Sequence, residues 1–140
     1  NSGQSNQVIF ELSQGRMGVP WWEDTKSYIE NSPLFHAKDI SAPMLVEVGT
    51  VDGAVDWHQG QYLYSTLRRM GKNMVMLVYA NENHGLAVPA NQKDYAARAR
   101  HFFDVYLKGA TPEQWLDKGV PFIELGEELK LKVVEKKDGN

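Results

Sequence analysis

Cysteine is absent from all 140 residues, which excludes disulfides, thiolate metal sites and a cysteine nucleophile. Long apolar runs are absent too, and none approaches the roughly 18 residues needed to cross a bilayer. Nor is there an excess of basic charge. Fifteen Lys and Arg against eighteen Asp and Glu leave a net charge of −3, so neither nucleic acid nor a membrane is expected as a partner. Residues Asn1-Ser2-Gly3-Gln4-Ser5-Asn6-Gln7 lack the basic and apolar blocks of a signal peptide. The spacing of the four histidines gathers no metal ligands in a His-Glu-x-x-His pattern, and no metal or cofactor is expected. What remains is ordinary for a folded domain, with 42% hydrophobic and 24% charged residues.

The informative stretch runs from Met44 to Leu86. Met44-Leu45-Val46-Glu47-Val48-Gly49 is a short apolar run ending in glycine, and Thr50-Val51-Asp52-Gly53-Ala54-Val55 follows it. Asn73 to Tyr79 is a second apolar run, followed by Ala80-Asn81-Glu82-Asn83-His84-Gly85-Leu86. Between them, Gln59 to Met70 has a helical pattern that Gly71 closes. Leu63, Leu67 and Met70 form its apolar stripe, while Arg68, Arg69 and Lys72 are expected in solvent. A strand–helix–strand unit of this kind is a parallel crossover. Functional groups in such sheets gather at the carboxyl ends of the strands. Asp52 and His84 both fall there.

The flanks read more simply. Val8 to Leu12 is a short apolar patch, and Trp21-Trp22 fit a core or domain-contact plug better than a substrate-stacking role. Asp24 or Thr25 caps a short helix through about Asn31, and Ser32-Pro33 opens a turn through Ala37. Asn91 to Tyr106 reads as a helix with Tyr95, Ala99, Phe102, Phe103 and Tyr106 buried and Gly109 as its cap. Thr111-Pro112-Glu113-Gln114 has the form of a capping box for a short helix to about Lys118. Leu129 to Val133 alternates as a weak strand, and the last residues are a polar tail. His36, His58 and His101 fit structural or solvent-facing roles.

An aspartate and a histidine on adjacent strand-end loops are what a serine hydrolase uses to activate its nucleophile. The imidazole takes the hydroxyl proton, and the carboxylate fixes the imidazole tautomer. The same two residues also fit a turn aspartate and a structural histidine.

The wider pattern carries more information. It comprises Tyr28…Asn31-Ser32-Pro33, Ile40…Pro43-Met44-Leu45 and Gly49-Thr50-Val51-Asp52-Gly53-Ala54-Val55. It continues with Gln59…Leu67-Arg68…Gly71-Lys72, Tyr79…Glu82-Asn83-His84-Gly85 and Arg98…Phe102-Phe103…Tyr106-Leu107-Lys108-Gly109. In order and spacing this resembles the C-terminal catalytic portion of the prolyl oligopeptidase family of serine peptidases, over about residues 15–121. The resemblance implies an α/β fold, the C-terminal portion of an α/β-hydrolase. It assigns Asp52 and His84 to the triad, in the chain order Ser, Asp, His. Trp57 and Gln59 match structural positions of that loop and helix.

The family's nucleophile belongs upstream, in a Gly-x-Ser-x-Gly elbow, and no such elbow occurs here. Gly3-Gln4-Ser5-Asn6-Gln7 has only its first half, and Ser32 and Ser41 fit caps or loops. Residues 1–140 are therefore expected to be a single partial domain, truncated before the elbow, with 122–140 a tail. The chain alone is expected to be inactive, and the full-length parent to take peptide substrates. An esterase on the same fold and a non-catalytic interaction module are the alternatives. An apolar strand edge left open at Met44 to Val48 would favour self-association.

Overall fold

The computed structural model describes residues 7–120. The partial elbow around Ser5, the weak strand at Leu129 to Val133 and the tail lie outside the described residues. The chain divides after His84 into two compact units.

The first unit opens with helix α1 (Gln7–Glu11), formed by the short apolar patch, and helix α2 (Thr25–Glu30). Asp24 is the cap of α2, its Oδ1 accepting the Ser27 N–H at 3.1 Å. A 3₁₀ segment, Pro33–Asp39, leads to strand β1 (Met44–Gly49), helix α3 (His58–Arg69) and strand β2 (Met74–Tyr79). The two strands pair in parallel, with Met44 opposite Met74 and Gly49 opposite Tyr79. Both strands therefore end at the same level, which brings their following loops together.

Helix α3 lies on one face of this pair because Gly60 has no side chain. A Cβ there would stand 2.8 Å from Val48 Cγ1 and 3.7 Å from Met76 Sδ. Val46, Val48 and Met76 thus face the helix. By strand alternation Glu47, Gly49, Leu77 and Tyr79 occupy the other face. Ala37, Leu67 and Met74 form the buried centre, with Ile40, Met44, Val46, Leu63 and Tyr64 packed around it.

Helix α3 ends as its glycine requires. Gly71 has a positive φ of 70°, Lys72 N–H donates to Leu67 O at 3.0 Å, and Gly71 N–H to Arg68 O at 3.0 Å. Met70 is the capping residue just past the helix, so it leaves the apolar stripe and is half exposed. Lys72 also departs from expectation. Its ammonium donates to the carbonyls of Lys38, at 2.7 Å, and Ile40, closing the end of the 3₁₀ segment. Trp21 and Trp22 do not plug the described core. They lie in a turn, largely exposed, and meet edge to face at 5.8 Å, so each spends ring surface on the other.

The second unit holds helix α4 (Pro89–Lys108) and helix α5 (Gln114–Asp117). Helix α4 starts two residues earlier than expected, with Pro89 in its first turn, and Gly109 closes it at φ 72°. Of the expected aromatic stripe only Phe102 is buried, while Tyr95, Phe103 and Tyr106 are exposed. Phe103 sits 100° around the helix from Phe102, so one face cannot take both. The capping box does not form. Glu113 caps α5, but its side chain accepts no backbone N–H of the helix. Its N–H donates instead to His101 Nε2 at 3.0 Å, and its carboxylate accepts from Trp115 Nε1 at 2.8 Å. His101 is thereby a structural acceptor, with its proton on Nδ1.

Candidate active site

The two strand-end loops are bound together before either functional side chain is reached. Thr50 N–H donates to Tyr79 O at 3.1 Å and Val51 N–H to Glu82 O at 3.0 Å. Asn81 N–H donates to Thr50 Oγ1 at 2.9 Å, and its positive φ of 60° turns the second loop back. Gly49 permits the contact. A Cβ on it would lie 2.4 Å from Glu82 O and 2.5 Å from Asn83 O, closer than any side chain tolerates.

Asp52 then turns its carboxylate inward. Oδ1 accepts the N–H groups of Ala54 and Val55, both at 2.8 Å. Oδ2 meets His84 Nδ1 at 3.1 Å. The aspartate side chain is only 11% exposed whereas the imidazole is 65% exposed. The structure thus brings together the two residues singled out in the sequence, across 32 positions of chain. An ionised carboxylate accepts only, so Nδ1 is the donor, and in the neutral imidazole Nε2 then carries the lone pair. That is the protonation pattern of a general base.

Electrostatics keep the Asp52 carboxylate ionised for this contact. Burial pushes the Asp52 carboxyl up, but the Val55 N–H, the His84 ring, the Ala54 N–H and the charge on His84 together bring it below its ordinary value. Glu47, half-buried on β1, is pushed up by burial and by the negative charges of Asp52 and Glu82, with His84 opposing. A native carboxyl held below its unfolded value of 3.8 stabilises the fold fully above that pH. The stabilisation is lost as pH falls through the lower folded value. Thermal melts of the wild type and Asp52→Asn from pH 7 to pH 2 should therefore show a difference that shrinks only below about pH 3.8. A gap that stays constant across that range would contradict it.

The other candidates fall elsewhere. His36 Nε2 sits 3.0 Å from Glu30 O. Glu82 is buried, 2% exposed, just before the histidine loop. His58 forms a second aspartate–histidine pair that the sequence reading missed, with Nδ1 2.6 Å from Asp56 Oδ1. That pair is a helix start. Asp56 Oδ1 also accepts His58 N–H at 2.9 Å, Asp56 O accepts Gln59 N–H at 3.0 Å, and the imidazole lies 4.4 Å from the Trp57 ring. Asn83 was missed as well. Its Oδ1 accepts the N–H of Gly53 at 3.0 Å and of His84 at 2.8 Å.

This geometry coincides with a family match. Residues 3–110 fit the model of the prolyl oligopeptidase family. The chain belongs to that family. Membership implies the α/β-hydrolase fold, of which the parallel β1–α3–β2 unit is a small part. Among similar proteins, dipeptidyl aminopeptidase BIII of Pseudoxanthomonas mexicana is 29% identical over 102 residues, covering 72% of this chain and 15% of that protein. The uncharacterized peptidase YuxL of Bacillus subtilis (strain 168) is 27% identical over 89 residues, 61% of this chain and 14% of that protein. The acylamino-acid-releasing enzyme of Arabidopsis thaliana is 28% identical over 90 residues, 64% of this chain and 12% of that protein. The match therefore spans about one seventh of the length of these relatives.

Proposed function

We propose that this chain supplies the aspartate and histidine of a Ser–His–Asp triad in a serine peptidase acting on peptide or acyl-aminoacyl bonds. The serine comes from residues outside these 140. The observation that carries this reading is the 3.1 Å contact of Asp52 and His84 at the carboxyl ends of adjacent parallel strands. In the reaction His84 Nε2 takes the serine proton as the hydroxyl attacks the carbonyl. It then returns that proton to the leaving amine. Asp52 stays ionised, holds Nδ1–H and stabilises the imidazolium between those steps. The names of the relatives support a peptidase, and the missing Gly-x-Ser-x-Gly elbow supports a nucleophile supplied from elsewhere.

Intact-mass measurement after treatment with a fluorophosphonate serine-hydrolase probe tests this division of the triad. The 140-residue chain should show no adduct. A stoichiometric adduct that His84→Ala abolishes would place the nucleophile within the chain and overturn the proposal.

A further inference from the structure

One oxygen ties together the two backbone stretches that carry the dyad. Asn83 Oδ1 accepts Gly53 N–H at 3.0 Å and His84 N–H at 2.8 Å. Both partners are backbone donors, so the amide oxygen and not its nitrogen must face them. Gly53 is the residue after Asp52, and His84 is the residue after Asn83. The bonds therefore close a loop. It runs from Asn83 Oδ1 through Gly53 to Asp52, from the Asp52 carboxylate to the His84 ring, and back through His84 N–H to the same oxygen.

We propose that Asn83 is a positioning residue, whose shared acceptor fixes the His84 backbone against the Asp52 loop so that the imidazole stays on the carboxylate. Its catalytic meaning rests on the triad reading above. The other cross-links named here hold Thr50, Val51 and Asn81, and so fix the loops before Asp52. The Asn83 bond reaches past it. This matters because His84 is mostly exposed, so packing does little to hold its ring, and a histidine side chain has two free torsions. With its N–H anchored and Gly53 to Val55 bound around Asp52, the remaining freedom is small. Asn83, Gly53 and His84 are all exposed, so replacing the amide disturbs no core.

The chemistry discriminates between replacements. Aspartate has the shape of asparagine and an oxygen that accepts both N–H groups, whereas leucine has a similar shape and accepts neither.

The test is NMR on the 140-residue chain, which requires no catalysis. In the wild type the Gly53 and His84 amides should exchange at least about tenfold more slowly than free peptide despite their exposure. The His84 Nδ1 proton should give a resolved downfield resonance. Asn83→Leu should lose the amide protection and broaden that resonance into solvent exchange, and Asn83→Asp should retain both. An asparagine that served only stability would lower the melting temperature in Asn83→Leu without moving the ring proton. Wild-type amides exchanging at free-peptide rates, or a sharp ring resonance in Asn83→Leu, would overturn the proposal. If that variant does not fold, Asn83→Ala takes its place, with the same expected loss of amide protection and broadening of the ring resonance, and a sharp ring resonance in it would equally overturn the proposal. These readouts are separate from those of the triad reading, which fails if a peptidase carrying these residues works without His84 while the amide protection described here persists.

Discussion

Asp52→Asn should lower kcat by about 10⁴-fold in a peptidase carrying these residues, with its fold intact. Asparagine keeps the shape of the side chain, and its oxygen can still accept the Ala54 and Val55 N–H groups. The amide nitrogen then takes the place of Oδ2, 3.1 Å from His84 Nδ1. That nitrogen donates, so Nδ1 must accept, and the imidazole proton moves to Nε2. A histidine protonated at Nε2 cannot receive the serine proton. The loss is of tautomer and imidazolium stabilisation and not of structure, which is why a backbone spectrum should barely change. Steady-state kinetics with the unmodified and variant enzymes check it. A loss below about tenfold would mean that this carboxylate does not orient the base.

Gly49→Ala should cost about 3 kcal/mol of stability, the upper end of what overpacking usually does. The reason is the nature of the obstacle. The added Cβ would lie 2.4 Å from Glu82 O and 2.5 Å from Asn83 O, and both are backbone atoms that no rotamer change moves. Relief requires shifting the loop from Glu82 to His84, whose cross-link through Val51 N–H would be pulled out of line. The same shift draws His84 away from Asp52, so activity should fall with stability. Urea denaturation checks the first part, with a lower midpoint at unchanged slope. An unchanged midpoint would show that the two loops are not in contact at this glycine. Gly53 is a useful contrast, since a Cβ there meets only Asn83 Oδ1 at an ordinary 3.9 Å.

The strand–helix–strand unit was legible because each part has its own period and stop signal. Two apolar runs of strand length flank a helix closed by Gly71, and the observed elements start and end within a residue or so of that pattern. Asp52 and His84 were legible as a pair because parallel strands of matched register must deliver their following loops to one end. Asn83 was not. Its importance lies in a side-chain bond spanning 30 residues, and an asparagine in a strand-end turn has no periodic or spacing signal to mark it. Lys72 was misread for a related reason, because a basic residue after a helix ordinarily points into water, and here the 3₁₀ carbonyls claimed it. The aromatic residues of α4 and the Trp21–Trp22 pair show the limit of hydrophobicity alone. A large apolar side chain announces that it favours contact, but not with what.

The claim that Asp52 and His84 form the acid–base half of a triad is tested most directly by the rate of fluorophosphonate labelling in a peptidase of this family carrying these residues. The account predicts that His84→Ala slows labelling of its serine by about 10³-fold or more, since the hydroxyl then has no base to take its proton. Labelling of the His84→Ala protein at the wild-type rate would contradict it.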